Sequence, residues 1–480
     1  MNNREGEMDS KTHRRRLRNL LDVHRITRAC LREHAIGEYL AGQVTYNLGE
    51  YPAPLSLAPM EYDHSLLKEL SEHGVTLIQI HEEWNDSQRC LGADKLTSHD
   101  PEGLREFVDL VHSLGMKVIL YASTGFFEAS DPDFKPEWAI HPNTHLVEMY
   151  FDYALCSPAS PEWRAYILPR LERLMDEYGL DGLYDDLGYT ALYQHQPMPP
   201  THISLSEETP EHDAALEDLL GLVMNLVHKR GGILKIHYGA ATAPACTRKV
   251  YDYLWVGESV EDLDNLRVKV KSISPYVVPC PDMSRAVIER EDDFYLHFVP
   301  YMQFPLRVDG RPFTGERSAV KGMNYRRGEE CFWTRHFRTA WRHYQAYPDA
   351  PPMYGCWDSF PGRPEARALW LHHFDLYRPM VKEGTYVWVE IKDTKLFKGI
   401  NTDELTASLF VNDEVYLVLA NYGRTASEIT SGWTWQDRET GRVSKILRIP
   451  PRKVLYFQRV EEQESVVSIN EGEVSEKVLF

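Results

Sequence analysis

Ser160-Pro-Glu-Trp-Arg-Ala-Tyr-Ile-Leu-Pro-Arg-Leu-Glu-Arg-Leu-Met-Asp-Glu-Tyr-Gly179-Leu-Asp-Gly-Leu-Tyr-Asp-Asp186 decides the fold. Ser160 is a good N-cap and Pro161 suits a first helical turn. Trp163, Tyr166, Ile167, Leu171, Leu174, Met175 and Tyr178 recur at helical spacing, with Pro169 as an expected kink. Gly179 supplies a left-handed stop, and Gly182-Leu-Tyr184 starts a short strand ending in two acids. The same helix, glycine, strand order surrounds it. Asp63 opens a helix with Leu66, Leu67 and Leu70; Gly74 closes it, and Val75 to Ile80 is apolar. Asp100-Pro101 opens another with Leu104, Phe107, Val108, Val111 and Leu114; Gly115 stops it before Lys117-Val-Ile-Leu-Tyr-Ala122. A helix over 214–229 ends at Gly231-Gly232 before Ile233-Leu-Lys-Ile-His237, and a strand at 253–256 precedes a helix over 260–270.

Repeated helix-to-strand units of this kind specify a parallel sheet with helical crossovers. An open doubly wound sheet and a closed (β/α)8 barrel share the pattern. No Gly-rich phosphate fingerprint follows the first strands, whereas polar and aromatic residues crowd strand after strand at its C-terminal end. That favours the α/β class with a (β/α)8 TIM barrel. From about residue 390 the grammar changes to short strands. Ala407 to Ala420 reads as two strands around an Asn412-Asp413 turn, with more near 428–430, 442–449 and 453–459. The expectation is a C-terminal antiparallel β-sandwich. The organisation read this way is an N-terminal helical extension (1–36), the barrel (37–388), the sandwich (389–460) and a flexible acidic tail (461–480) holding six Glu and one Lys.

Composition narrows the function. The 480 residues are 43% hydrophobic, enough for a sizeable core. The 53 Lys and Arg against 72 Asp and Glu give a net charge of −19, which repels phosphate backbones, so nucleic acid is not expected as a partner. No run of 18 apolar residues exists, so no membrane helix is expected. The seven cysteines are scattered without a CxxC pair, and the basic Met1 to Leu20 stretch lacks an apolar segment, so a reduced, cytoplasmic protein is expected. His81-Glu82-Glu83-Trp84-Asn85 is not a zinc HExxH motif, because Asn85 stands in place of the second His. No GxSxG elbow, P-loop or kinase set is present, so no cofactor and no metal are expected.

Carboxylate chemistry is the option that remains. Side chains alternate along a strand, so Tyr184 and Asp186 share one face, and Leu183 and Asp185 the other. With Leu183 packed on the helices, Asp186 points into the barrel mouth, placed for nucleophilic attack or for stabilising a cation. Asp185 is expected either to cap the following loop or to touch substrate. Hydrolysis of a glycosidic bond needs a second carboxyl held as an acid. Glu258, after the 253–256 strand and Gly257, is the natural partner; capping the next helix is the competing role. Substrate contacts are expected from His81, Glu83, Trp84, Tyr121, Tyr184, Lys235 and His237 at strand ends, and from Asp282, Arg285, Trp357 and Asp358 in later loops.

At Asp181 to Asp186 the sequence resembles the retaining α-glycosidases built on (β/α)8 barrels, the α-amylase, α-galactosidase and endo-α-N-acetylgalactosaminidase families. Those enzymes end their fourth barrel strand in an Asp nucleophile, which the resemblance carries onto Asp186. Counting from a first strand near 41–46, the strand of Asp186 is the fourth. The acid/base departs from both patterns. α-Galactosidase-like enzymes use an Asp after strand six and α-amylase-like enzymes a Glu after strand five, whereas strand five here ends in His237-Tyr238 and Glu258 follows strand six. The resemblance thus implies a retaining glycoside hydrolase for an α-linked carbohydrate, and the lack of a secretion signal leads to the expectation of a small, imported one. A carbohydrate-binding pseudoenzyme, and a sugar isomerase or lyase with a metal between Asp186, Glu83 and His237, are the other classes this barrel could serve.

Overall fold

The structure is a computed structural model. It describes residues 10–49, 56–81, 84–85, 96–129, 131–140, 146–148, 151–187, 191–194, 201–204, 210–239, 241–257, 262–273, 276–280, 291–312, 346–347, 364–398, 400 and 403–460. Eight strands form the barrel sheet: β1 (Gln43–Asn47), β2 (Leu77–Ile80), β3 (Lys117–Ala122), β4 (Gly182–Asp186), β5 (Ile233–His237), β6 (Tyr253–Val256), β7 (Val277–Pro279) and β8 (Arg307–Gly310). Their spatial order is β7-β6-β5-β4-β3-β2-β1-β8, and every neighbouring pair is parallel. The Leu306 amide donates to the Pro279 carbonyl at 3.0 Å, which joins the two ends of the sheet. The chain is therefore a (β/α)8 barrel, with Asp186 ending the fourth strand.

Two of the helices that cross between strands begin and end on the expected signals. Ser160 accepts from the Trp163 amide and Gly179 takes φ 62° around Pro161–Tyr178, which runs continuously through Pro169. Asp100 accepts from Gly103 at the start of Pro101–Ser113. Asp63 sits inside Glu61–Glu72, not ahead of it, and accepts from the Met60 amide at 2.8 Å. Wholly buried, it also takes Tyr46 Oη at 2.7 Å and Arg311 Nη2 at 2.8 Å, tying β1 to the turn after β8. Gly182 fixes the entry to β4. Its φ is 151°, and a Cβ there would collide with the Ile233 carbonyl on β5, so only glycine lets the two strands close.

A seven-stranded antiparallel sheet follows, built from Tyr386–Thr394, Leu405–Val411, Val415–Asn421, Ser427–Asp437, Val443–Ile449 and Lys453–Arg459 with one strand from the N-terminus. Alternation sorts its side chains into two layers. Phe410, Tyr416, Val418 and Ala420 join the barrel core, whereas Leu409, Leu417 and Leu419 meet Ile429, Leu447 and Ile449 in a second core. The N-terminus differs from the helix expected over 1–36. A helix spans Ser10–Ile26, and Thr27–Ala35 is a strand paired antiparallel with Tyr386–Thr394. Val23 of that helix fills the second core. Arg32 donates to the Lys271, Ile273 and Tyr301 carbonyls at 2.6–2.8 Å, fastening this strand to the barrel. Among the described residues no helix is long and apolar enough to cross a membrane. The tail expected at 461–480 lies outside the described residues.

Candidate active site

Period-two alternation in β4 puts Asp186 at the C-terminal mouth of the barrel, where enzymes of this architecture keep their chemistry. Its carboxyl is gripped from both flanking strands. Tyr121 Oη of β3 donates to Oδ2 at 3.0 Å, and His237 Nδ1 of β5 lies 3.2 Å from Oδ1. The Asp186 side chain keeps 18% of its surface exposed and that of His237 6%, so the carboxyl is open to a ligand and its neighbour nearly closed off. Backbone bonds hold the same level: Ser123 Oγ donates to the Asp186 carbonyl at 2.6 Å, and the Leu187 amide to the His237 carbonyl at 2.9 Å.

Beneath Asp186 the barrel is floored with rings. Tyr184 packs 5.1 Å from His81, 5.7 Å from Tyr121 and 4.9 Å from Trp255, measured between centroids. Trp255 also lies 5.2 Å from His81 and 5.4 Å from His237. His81, Tyr121, Tyr184 and His237, all singled out by position on their strands, therefore converge around Asp186. Trp255 belongs to the same floor and was not among the expected residues. Its signal was available, since residues 253 and 255 share the inward face of β6.

Three expected substrate contacts have other duties. Asp185 is 1% exposed on the outward face of β4 and accepts from Thr124 N at 2.8 Å and Thr124 Oγ1 at 2.7 Å. It pins the loop after β3 to the end of β4, and not the loop that follows it, which the capping alternative named. Burial pushes its carboxyl up to about 7, opposed by the two Thr124 bonds and reinforced by the neighbouring Asp186 charge. Trp84 is fully buried, its indole N–H donating to the Tyr121 carbonyl at 3.1 Å, so it holds the strand that carries Tyr121 and has no face for a sugar. Lys235 is also fully buried, one layer below His237, with Nζ donating to Gln79 Oε1 at 2.7 Å. Desolvation lowers its ammonium to about 7. Gly125 completes the scaffold: a Cβ there would press on the Leu187 carbonyl, so the loops after β3 and β4 meet backbone to backbone.

Glu83, Glu258, Asp282, Arg285, Trp357 and Asp358 lie outside the described residues. Among the described residues no group of three or more His, Cys, Asp or Glu side chains could hold a metal ion. The arrangement around Asp186 is thus a partly open carboxylate at a strand end, with Tyr121 Oη donating to one oxygen, His237 Nδ1 beside the other, and an aromatic floor. Such a group can attack an electrophilic carbon or stabilise a developing cation.

No protein-family model and no curated protein matches the chain. Solved structures do share its fold. A noncanonic maltogenic α-amylase from Thermotoga neapolitana aligns at 13% identity over 88% of this chain and 100% of its own, with a TM-score of 0.51. An Anoxybacillus α-amylase aligns at 11% over 91% and 99%, TM-score 0.51. Trehalose-6-phosphate hydrolase from Bacillus licheniformis aligns at 12% over 88% and 100%, TM-score 0.51. At such identities the likeness is one of fold. What the chain shares with them is a (β/α)8 barrel followed by an antiparallel β domain.

Proposed function

We propose that this chain is a cytoplasmic glycoside hydrolase acting on a small α-linked glycoside or oligosaccharide with retention of configuration. The observation that carries the reading is Asp186 at the end of β4, partly open and held on one oxygen by Tyr121 and on the other by His237. In the proposed mechanism an Asp186 oxygen attacks the anomeric carbon as the glycosidic C–O bond breaks. Glu258, two residues beyond the end of β6, gives its proton to the leaving oxygen. Water then attacks the same carbon, its proton passes to Glu258, and the glycosyl ester breaks to free Asp186. A retaining pair has its carboxyl groups about 5–5.5 Å apart, whereas a gap of about 6.5–9.5 Å belongs to inversion. The α linkage is supported by the resemblance at Asp181 to Asp186 and by a fold shared with two α-amylases and a trehalose-6-phosphate hydrolase.

The test is a panel of aryl α- and β-glycosides, run with the wild type, Asp186→Asn and Glu258→Gln. Release by the wild type that both variants lose supports the pair and names the sugar. Activity surviving in Asp186→Asn, or no release by the wild type from any glycoside, contradicts the reading.

A further inference from the structure

His237 is the last residue of β5. It stands beside Asp186 in register on the adjacent parallel strand, with Nδ1 3.2 Å from Oδ1. A carboxylate acting as a nucleophile only accepts hydrogen bonds, so in that role the proton between the two groups belongs on Nδ1. The ring is fixed from below by Trp255 at 5.4 Å, and its own carbonyl is held by the Leu187 amide. On the far side of β4, Tyr121 Oη takes Oδ2 at 3.0 Å. Donors from β3 and β5 thus clamp the two oxygens of one carboxylate and set its plane about the last side-chain torsion.

Two other roles fit the geometry poorly. A proton donor to the leaving group must stand across the scissile bond from the nucleophile, about 5–5.5 Å away in a retaining pair. At hydrogen-bond distance from Asp186, the Nδ1 edge of His237 leaves no room for a glycosidic oxygen between them. A substrate contact needs an open face, and the His237 side chain is only 6% exposed.

We propose that His237, carrying its proton on Nδ1, is a positioning residue that together with Tyr121 locks the carboxylate of Asp186 for attack; as a role in catalysis this rests on the reading of Asp186 as nucleophile. It acts through Asp186 and not on the sugar. Its removal therefore slows turnover and leaves substrate affinity nearly intact. Asn at this position offers an amide N–H close to where Nδ1–H lies, whereas Ala offers none.

The experiment has two arms on the full chain. The first is long-range proton–nitrogen NMR of protein labelled with 15N-histidine, the His237 signals being assigned by their loss in His237→Asn. A protonated Nδ1 that is perturbed in Asp186→Asn supports the pair; an unprotonated Nδ1 in the wild type overturns it. The second arm is steady-state kinetics on the glycoside best cleaved by the wild type. Misplacing a reacting group is expected to lower kcat about 100-fold in His237→Ala with KM little changed, and His237→Asn is expected to recover most of that loss. Equal losses in both variants, or a rise in KM alone, overturn the positioning role. If the wild type cleaves no glycoside, the glycosidase reading falls while the NMR arm still decides whether the pair exists.

Discussion

Replacing Asp185 by Asn tests how the barrel mouth is held together. In the folded chain this carboxyl is 1% exposed, and burial raises it from an ordinary 3.8 to about 7. A raised acid contributes stability that is complete below 3.8 and is lost as the pH climbs through the folded value, because over that window the folded chain keeps a proton that the unfolded chain gives up. At about 1.4 kcal/mol per pH unit, the interval comes to about 4 kcal/mol of lost stability above pH 7, as an order of magnitude. Asn removes the titration and keeps the contacts: its amide oxygen accepts from Thr124 N, and its amide nitrogen donates to Thr124 Oγ1. For 480 residues the unfolding entropy near the midpoint is roughly 1 kcal/mol/K, so each kcal/mol moves Tm by about 1 °C. Melting curves of both proteins between pH 4.5 and 8 are the assay. The Asn variant is expected to gain about 3 °C on the wild type across that range. A difference between the two proteins that stays constant with pH, or turns against Asn as pH rises, refutes the reasoning.

Other perturbations separate the clamp from the floor. Tyr121→Phe deletes the bond to Asp186 Oδ2 and keeps the ring. A hydrogen bond to a charged group is worth about 1.5–3 kcal/mol, so kcat/KM on the best glycoside is expected to fall about 10- to 100-fold, and a loss below about twofold contradicts the role. Lys235→Met addresses the buried amine, whose folded value is depressed from 10.5 to about 7. The wild type regains stability as pH rises through that window, since only the unfolded chain then holds the proton. The advantage of Met over Lys is therefore expected to shrink by as much as about 5 kcal/mol between pH 7 and 10.5, measured by denaturant titration at both ends; a gap independent of pH contradicts it.

The barrel was legible because its local signals agree with one another. Capping residues, helical spacing and closing glycines marked the crossovers before β3 and β4, and β3, β5 and β6 occupy the residues read from the sequence. Alternation also placed Tyr184 and Asp186 on the inward face and Leu183 and Asp185 on the outward one. What alternation does not carry is depth. Lys235 and His237 share a face, yet one is level with Tyr184 and bonded to Gln79, and the other stands beside Asp186. Trp84 lies four residues past the end of β2, and its indole turns into the core to meet the Tyr121 carbonyl. The strand Thr27–Ala35 was missed for a different reason. Its Arg28, Arg32, Glu33 and His34 mask any two-residue pattern, and its partner lies more than 350 residues away at Tyr386–Thr394. Such pairing is a property of the assembled fold and not of the local sequence.

Asp186 is the residue proposed to attack the sugar, and a trapped intermediate tests that directly. The protein is incubated with a fluorinated glycosyl fluoride of the sugar identified by the panel, digested, and mapped by mass spectrometry. One glycosyl group attached to Asp186, and none in Asp186→Asn, is the result predicted. An adduct on another carboxylate, or full turnover of the parent glycoside by Asp186→Asn, contradicts it.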